Sequence, residues 1–428
     1  MAEIEKFGLK ELIAMGVGGM IGGGIFSVLG MAVDISGHAA PFAFALGSII
    51  ALSAGYSYIK LALAFHSDGA SFTYLERAFP HQLNVAGVAG WTVIVGYIGT
   101  LALYAFTFGA YGADLLGNAS SALARMFLSA GVLLFFMAVN LRGVKASGEA
   151  EDMVVYTKII ILSLFGIIGL TTVRSDHVFP VLSRGTSSVF MAGALIFVAY
   201  EGFQLITNAV CETMNPERNI PKGIYSSIVI TSIIYVVLAV VGIGNLTPAE
   251  LSAAKEYALA AAAEPVLGNS GRILVGLAAL LATSSAINGT MFGASRMMAE
   301  MATDEKMPQV FSFRNKTDIP WVAVVVLAAL AIFFTLTGGL ETIAAFSSMT
   351  FLLVSIGISV ANLRLLEKTK SKAWLVFLGI LLMTATVLTL IYYLWHNQPV
   401  TLLWIVLFYF VVMIVELFFS KRRILFRK

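Results

Sequence analysis

The chain has 428 residues, 59% of them hydrophobic and only 12% charged, with a formal net charge of +3 and a mean hydropathy of +0.90. Soluble globular domains run at about 45–50% apolar and about 25% charged residues, so the composition excludes that class and describes an all-α polytopic membrane protein. The small charge, with no basic patch interleaved with aromatics, gives no ground for a nucleic-acid partner, and the single cysteine, Cys211, excludes an intramolecular disulfide and a cysteine-rich metal site.

Apolar stretches of roughly 20 residues recur along the chain, each long enough to cross a bilayer core as a helix. Glu3, Glu5, Lys6, Lys10 and Glu11 precede an uncleaved first span, so no signal peptide is expected. That span, at 10–34, contains VGGMIGGGIF (17–26), with glycine at Gly18, Gly19, Gly22, Gly23 and Gly24. An isolated glycine pair in a membrane helix is explained by close helix packing. Five glycines in so short a stretch, each costing about 1 kcal/mol of helix propensity relative to alanine, predict a local unwinding instead. Spans follow at 41–65, 83–112, 126–141 and 153–172, the last carrying Lys158. The sixth, at 189–213, is interrupted at AYEGFQ (199–204) by an ionisable residue and a glycine. NPERNIPKG (215–223) leads into the seventh at 221–245, and an alanine-rich stretch near 246–270 reads as a short surface helix. The remaining spans lie at 271–299, 320–337, 340–362, 373–395 and 400–419, which makes twelve.

Lysine and arginine set the orientation. With the N-terminus inside, 20 of the 27 fall in inside segments; Arg125, Arg174, Arg184, Lys255 and Arg272 fall outside, and Lys60 and Lys158 lie within spans. Both termini are predicted to be cytoplasmic, in a multi-pass plasma (inner) membrane protein. No role is assigned to Lys60.

Unwound backbone at membrane depth is tolerated only where protein or a polar cavity satisfies it. The two interrupted spans open the halves of a five-plus-five pattern. Five is odd, so the halves have opposite orientations, and broken helices at equivalent places in inverted repeats point to a transporter site near the midplane. Freed N–H groups at the start of the second half of span one favour a carboxylate. Freed carbonyls at the ends of the first halves of spans one and six accept hydrogen bonds from an ammonium. Such a site suits a zwitterionic amino acid, and glycine lets it approach the main chain. The candidate substrate-binding residues are Ile21, Gly22, Gly23, Gly24, Val198, Ala199, Glu201 and Gly202.

GGMIGGGIF (18–26), FVAYEGFQLITNAVCETMNPERNIPKGI (197–224) and NLRGVKASGEAE (140–151) resemble the first-helix, sixth-helix and four–five-loop motifs of the amino acid–polyamine–organocation superfamily. The resemblance covers at least residues 8–365. It implies a ten-helix leucine-transporter-like inverted-repeat core at 1–365, followed at 366–428 by two additional transmembrane helices and a basic cytoplasmic tail. EAEDMVVYTKIIILSLF (149–165) and ATSSAINGT (282–290) further resemble the proton-coupled, broad-specificity amino-acid transporters of the superfamily. In those, a lysine amine occupies the place that a sodium ion takes between helices one, five and eight of sodium-coupled relatives. Carried over, Lys158 approaches the Gly18 carbonyl and the hydroxyl of Ser284 or Ser285. Lys158 also sits only roughly 8 Å from the cytoplasmic end of its span, where snorkelling to the headgroups is the competing reading. In a confined, partly apolar site the charged amine is disfavoured, so gain and loss of its proton would couple proton movement to helix one.

Glu201 departs from that type, where the position is apolar. An intramembrane carboxylate is expensive; this one titrates, selects cationic substrates, or hydrogen-bonds structurally behind the break, and the sequence leaves the three open. Gln204 sits where some antiporters of the superfamily carry a gating acid, and its neutrality weakens an acid-resistance antiporter reading. Glu212 and Arg218 are expected to form a cytoplasmic structural network. Tyr97 and Asn288 line a cavity or make helix contacts, and Phe203 and Tyr97 are the candidate gates. The function predicted is secondary amino-acid transport by alternating access, proton-coupled, with sodium less favoured and no cofactor or metal. The alternatives are amino acid/polyamine exchange and a non-transporting amino-acid receptor. An enzyme is not expected: the histidines His38, His66, His81, His177 and His396 are scattered, no GxSxG elbow occurs, and GGMIGGG lacks the lysine of a phosphate-binding loop. Oligomeric state is left open.

Overall fold

The computed structural model describes residues 7–66, 70–80, 83–143 and 148–426. Lys6, Lys145, Arg427 and Lys428 of the orientation argument, His81, and the middle of the 140–151 motif lie outside the described residues. In chain order the helices are α1 (Leu9–Met20), α2 (Gly24–Ser36), α3 (Ala40–Phe65), α4 (Ala70–Ala78), α5 (Leu83–Leu115), α6 (Ala122–Arg142), α7 (Gly148–Thr171), α8 (Ser175–Val178) and α9 (Thr186–Leu195). They continue with α10 (Leu205–Asn208), α11 (Pro216–Asn245), α12 (Pro248–Ala253), α13 (Ala258–Thr303), α14 (Trp321–Thr337), α15 (Leu340–Arg364), α16 (Leu366–Thr369), α17 (Ala373–Asn397) and α18 (Pro399–Phe426). Among the described residues ten helical segments are long and apolar enough to cross a membrane. One of them, Gly24–Phe65, is α2 and α3 joined through a 3-10 turn at Gly37–Ala39, and the 17-residue α14 is shorter.

The helices pack around α5 and α11. α5 lies against α13, α15 and α6, while α11 lies against α3 and α1. α17 and α18 are peripheral by comparison, with Trp374, Phe377, Leu381, Trp395, Leu403 and Trp404 exposed as a surface that lipid covers. Small residues set several of these contacts. A Cβ at Gly47 of α3 would lie 2.7 Å from the Tyr200 ring, and one at Gly18 of α1 would lie 2.7 Å from Val155 of α7. Lys60 donates to the Lys370 carbonyl at 3.4 Å, where α16 ends in a left-handed residue.

The alanine-rich stretch differs from the surface helix expected of it. α12 is a short turn capped by the Thr247–Glu250 capping box. The first turns of α13 then run inward, with Ala258, Leu259, Ala260, Ala262 and Ala263 fully buried, until a kink at Gly268 (φ 68°). The physical reason lies in alanine's size: its methyl group lets this segment and the preceding 3-10 turn close against α2. At Gly30 a Cβ would lie 2.7 Å from the Lys255 Cα. Lys255 itself bridges Asp34 of α2 (3.0 Å) and Glu341 of α15 (3.3 Å), and Tyr393 of α17 donates to Glu341 at 2.6 Å. These contacts tie α2, α15 and α17 together.

Candidate functional site

The first interruption falls at Ile21–Gly23, between α1 and α2. The Ile21 N–H still bonds the Val17 carbonyl at 2.8 Å, and Ser27 Oγ turns back to the Gly23 carbonyl at 2.6 Å. The Met20 carbonyl takes its partner from outside the helix. The Tyr235 hydroxyl of α11 donates to it at 2.7 Å and lies 3.1 Å from the Ala199 carbonyl of the other break. The glycines make this approach possible. A Cβ at Gly24 would collide with the Tyr235 hydroxyl, one at Gly23 with the Tyr104 ring, and one at Gly22 would stand 2.7 Å from the Ala286 methyl.

The second interruption is longer than the sequence pattern suggested. α9 ends at Leu195, a 3-10 segment covers Ile196–Tyr200, and the helical second half is the single α turn of α10 followed by a 3-10 turn at Val210–Glu212. Ser348 of α15 satisfies both sides of the break: its Oγ donates to the Leu195 carbonyl at 2.6 Å and accepts the Val198 N–H at 2.9 Å. Gly202 has φ 135°, which an L side chain rarely adopts, and a Cβ there would lie 2.5 Å from the Gly19 carbonyl carbon. The two breaks therefore meet backbone to backbone at Gly19 and Gly202. Gln204 clamps the turn, accepting the Gly202 N–H at 2.8 Å on its Oε1 and donating through Nε2 to Glu201 Oε2. Glu201 is 3% exposed, and its other oxygen, Oε1, is buried with no hydrogen-bond partner.

A cavity of about 500 Å³ lies against these breaks. Of the candidate residues it reaches Gly18, Gly19, Tyr97, Glu201, Gly202, Gln204 and Ser285. It does not border Ile21, Gly22, Gly23, Gly24, Val198 or Ala199; Tyr104 stands against Gly22 and Gly23, and Tyr235 against Gly24 and the Ala199 carbonyl. The cavity extends to Asn208, Glu212, Arg296 and Glu300, away from Lys255. Tyr97 meets Phe351 edge-on at 6.2 Å on its wall, and Tyr104 lines the same cavity. Phe203 lies elsewhere, buried edge-on against Tyr58 at 5.5 Å.

Lys158 is 1% exposed, and its Nζ donates to the Gly18 carbonyl at 2.8 Å. The amine thus turns toward α1 and not toward a headgroup. α13 packs beside α7, and its Ser284 and Ser285 are half-buried, with Ser285 on the cavity wall. One expectation changes, and one reading left open is decided. Among the described residues no ion pair within 4.0 Å joins Glu212 to Arg218; Glu212 lines the cavity, and its carbonyl accepts the Phe7 N–H at 2.8 Å, tying the start of α1 to the end of the broken sixth span. Asn288 is a helix contact, accepting from Asn140 of α6 at 3.0 Å.

Tyr104, Tyr235 and Ser348 were not found from the sequence. For Tyr104 a signal existed: Tyr97, Tyr104 and Tyr111 recur every seventh residue on one face of α5, roughly 10 Å apart. The third donates to the Phe26 carbonyl of α2 at 2.9 Å. Tyr235 and Ser348 had none, since a lone hydroxyl in an apolar helix has no spacing to betray it.

Residues 7–424 match the family model described as amino acid permease. The chain is 32% identical to an uncharacterized protein of Methanocaldococcus jannaschii over 97% of its own length and 96% of the relative's. It is 28% identical to the inner membrane transport protein YbaT of Escherichia coli (94% and 93%). A methylthioribose transporter of Bacillus subtilis is 27% identical (76% and 74%). With two broken helices meeting at a buried cavity and a family match over nearly its whole length, the chain belongs to the amino acid permease family, as a multi-pass membrane transporter and not an enzyme.

Proposed function

We propose that the protein moves amino acids across the plasma membrane by proton-coupled symport, with both termini cytoplasmic and residues 1–365 forming the inverted-repeat core. The observation that carries the coupling is the buried Lys158 amine on the Gly18 carbonyl at 2.8 Å. A charged donor strengthens such a bond roughly twofold over a neutral one. Loss of the proton therefore loosens α7 from the glycine-rich end of α1 and lets that half-helix move. The cavity extends from the breaks toward Glu212, Arg296 and Glu300, while the Asp34–Lys255–Glu341 cluster ties α2 to α15 away from it, an arrangement that fits alternating access. The substrate is assigned from the family; the methylthioribose transporter among its relatives means that the family name does not choose it.

Proteoliposome uptake of a radiolabelled amino-acid panel, driven by an inward proton or sodium gradient, tests the reading in wild type and Lys158→Ala. Proton-driven accumulation in wild type that drops at least tenfold in the variant is expected. Sodium-driven accumulation, or undiminished proton-driven accumulation in Lys158→Ala, sinks the lysine mechanism.

A further inference from the structure

The Glu201 carboxylate is half used. Gln204 serves Oε2, and Gln204's own carbonyl is committed to the Gly202 N–H. Oε1 has no partner, although the residue lines the cavity. A structural carboxylate behind a helix break would use both oxygens on the backbone it supports, as Ser348 uses both donor and acceptor capacity at Leu195 and Val198. Glu201 Oε1 is a buried acceptor without a donor on a residue that lines the cavity; such an acceptor is costly, and a donor brought in through the cavity would remove that cost.

The charge around it is predominantly negative. Among the described residues, the acidic and basic side chains lining the cavity are three carboxylates, Glu201, Glu212 and Glu300, and one guanidinium, Arg296, which lies over the Phe292 ring at 3.3 Å. Lys158 is not among the lining residues; its amine is turned to the Gly18 carbonyl. A cleft of net negative charge concentrates cations, and Tyr97 and Tyr104 supply ring faces that attract them further. The main-chain groups of the two breaks already have internal partners, so the Glu201 side chain is the acceptor left for a cationic end of the substrate. About 500 Å³ holds more than a small amino acid requires.

We propose that Glu201 is the specificity-determining residue of this cavity, and that the preferred substrates are amino acids whose side chain ends in a cationic hydrogen-bond donor, an ammonium or a guanidinium. The inference rests on the transport reading above, and its test separates the two. A site built around a hydrogen-bonding group rejects the analogue that lacks it far more strongly than an apolar pocket rejects a size change.

The experiment measures kcat/KM in proteoliposomes for two pairs, lysine against norleucine, which lacks the terminal nitrogen, and arginine against its neutral near-isostere citrulline. Wild type is expected to favour the cationic member of each pair at least tenfold. In Glu201→Gln both ratios are expected to fall to near one, because the new amide still accepts from Gln204 but offers the cavity no charge. Ratios are unaffected by the amount of folded protein. If the variant transports nothing, equilibrium binding of the same radiolabelled pairs to the solubilised variant gives the same ratios. A wild type that accumulates neutral amino acids with no cationic preference overturns the specificity and leaves transport standing, as does a variant that keeps the preference. A wild type that accumulates no amino acid overturns the transport reading and the inference with it.

Discussion

Tyr235→Phe isolates what holds the two breaks together. The ring stays packed, edge-on to Phe44 at 5.7 Å and to Tyr200 at 5.4 Å, and only the hydroxyl is lost. That hydroxyl is the donor to the Met20 carbonyl at 2.7 Å and lies 3.1 Å from the Ala199 carbonyl. Removing one partner so that a buried acceptor is stranded costs about 1–3 kcal/mol; taking about 2 kcal/mol, local opening becomes roughly thirtyfold more populated. Hydrogen–deuterium exchange read by mass spectrometry on peptides covering 18–26 and 196–204 reports this opening directly, because exchange follows the free energy of local unfolding. Both peptides should exchange about thirtyfold faster, while peptides from α17, on the periphery, keep their rates. Unchanged protection at both breaks would refute the claim that Tyr235 ties them, as would equal acceleration in α17, which marks global loosening instead.

Two further substitutions read the same geometry. Gly202→Ala places a methyl group 2.5 Å from the Gly19 carbonyl carbon on a residue at φ 135°; folded yield and thermal stability in detergent should drop sharply, and normal stability would contradict the backbone contact between the breaks. Lys255→Ala removes the cation shared by Asp34 and Glu341; with partly exposed pairs worth about 1 kcal/mol, this tie should open about fivefold more often. An increase in the labelling rate of a cysteine placed at Ile35, in a Cys211→Ala background, checks this.

The membrane class, the span positions and the existence of both breaks were legible because each is written in local composition. Five glycines between 18 and 24 weaken a helix enough for it to break at 21–23, and a glutamate beside a glycine at 201–202 interrupts an apolar run visibly. The Lys158–Gly18 contact was reached through family resemblance; burial alone could not choose between snorkelling and an inward turn. What the sequence concealed was long-range. Tyr235 lies 215 residues from Met20, and Ser348 lies 153 from Leu195. Both stand in helices with no local mark of function. The alanine-rich 258–263 stretch misled for a related reason: alanine is equally at home on a solvated helix and in a close-packed one, and only its neighbours decide.

The breaks also constrain how a substrate binds. Freed polar groups at membrane depth must have partners. In this structure Tyr235 serves Met20, Ser348 serves Leu195 and Val198, Lys158 serves Gly18, and Gln204 serves Gly202. A substrate ammonium arriving at the Met20 carbonyl must therefore displace the Tyr235 hydroxyl, so binding there exchanges one hydrogen bond for another and gains only the difference. The Glu201 Oε1 is different: it is buried without a hydrogen-bond partner, so a ligand donor that reaches it displaces no internal hydrogen bond. The net free energy of recognition is consequently largest where the protein leaves an acceptor open. In a cavity whose main-chain groups are already matched from within, that open acceptor is the point at which one substrate is told from another.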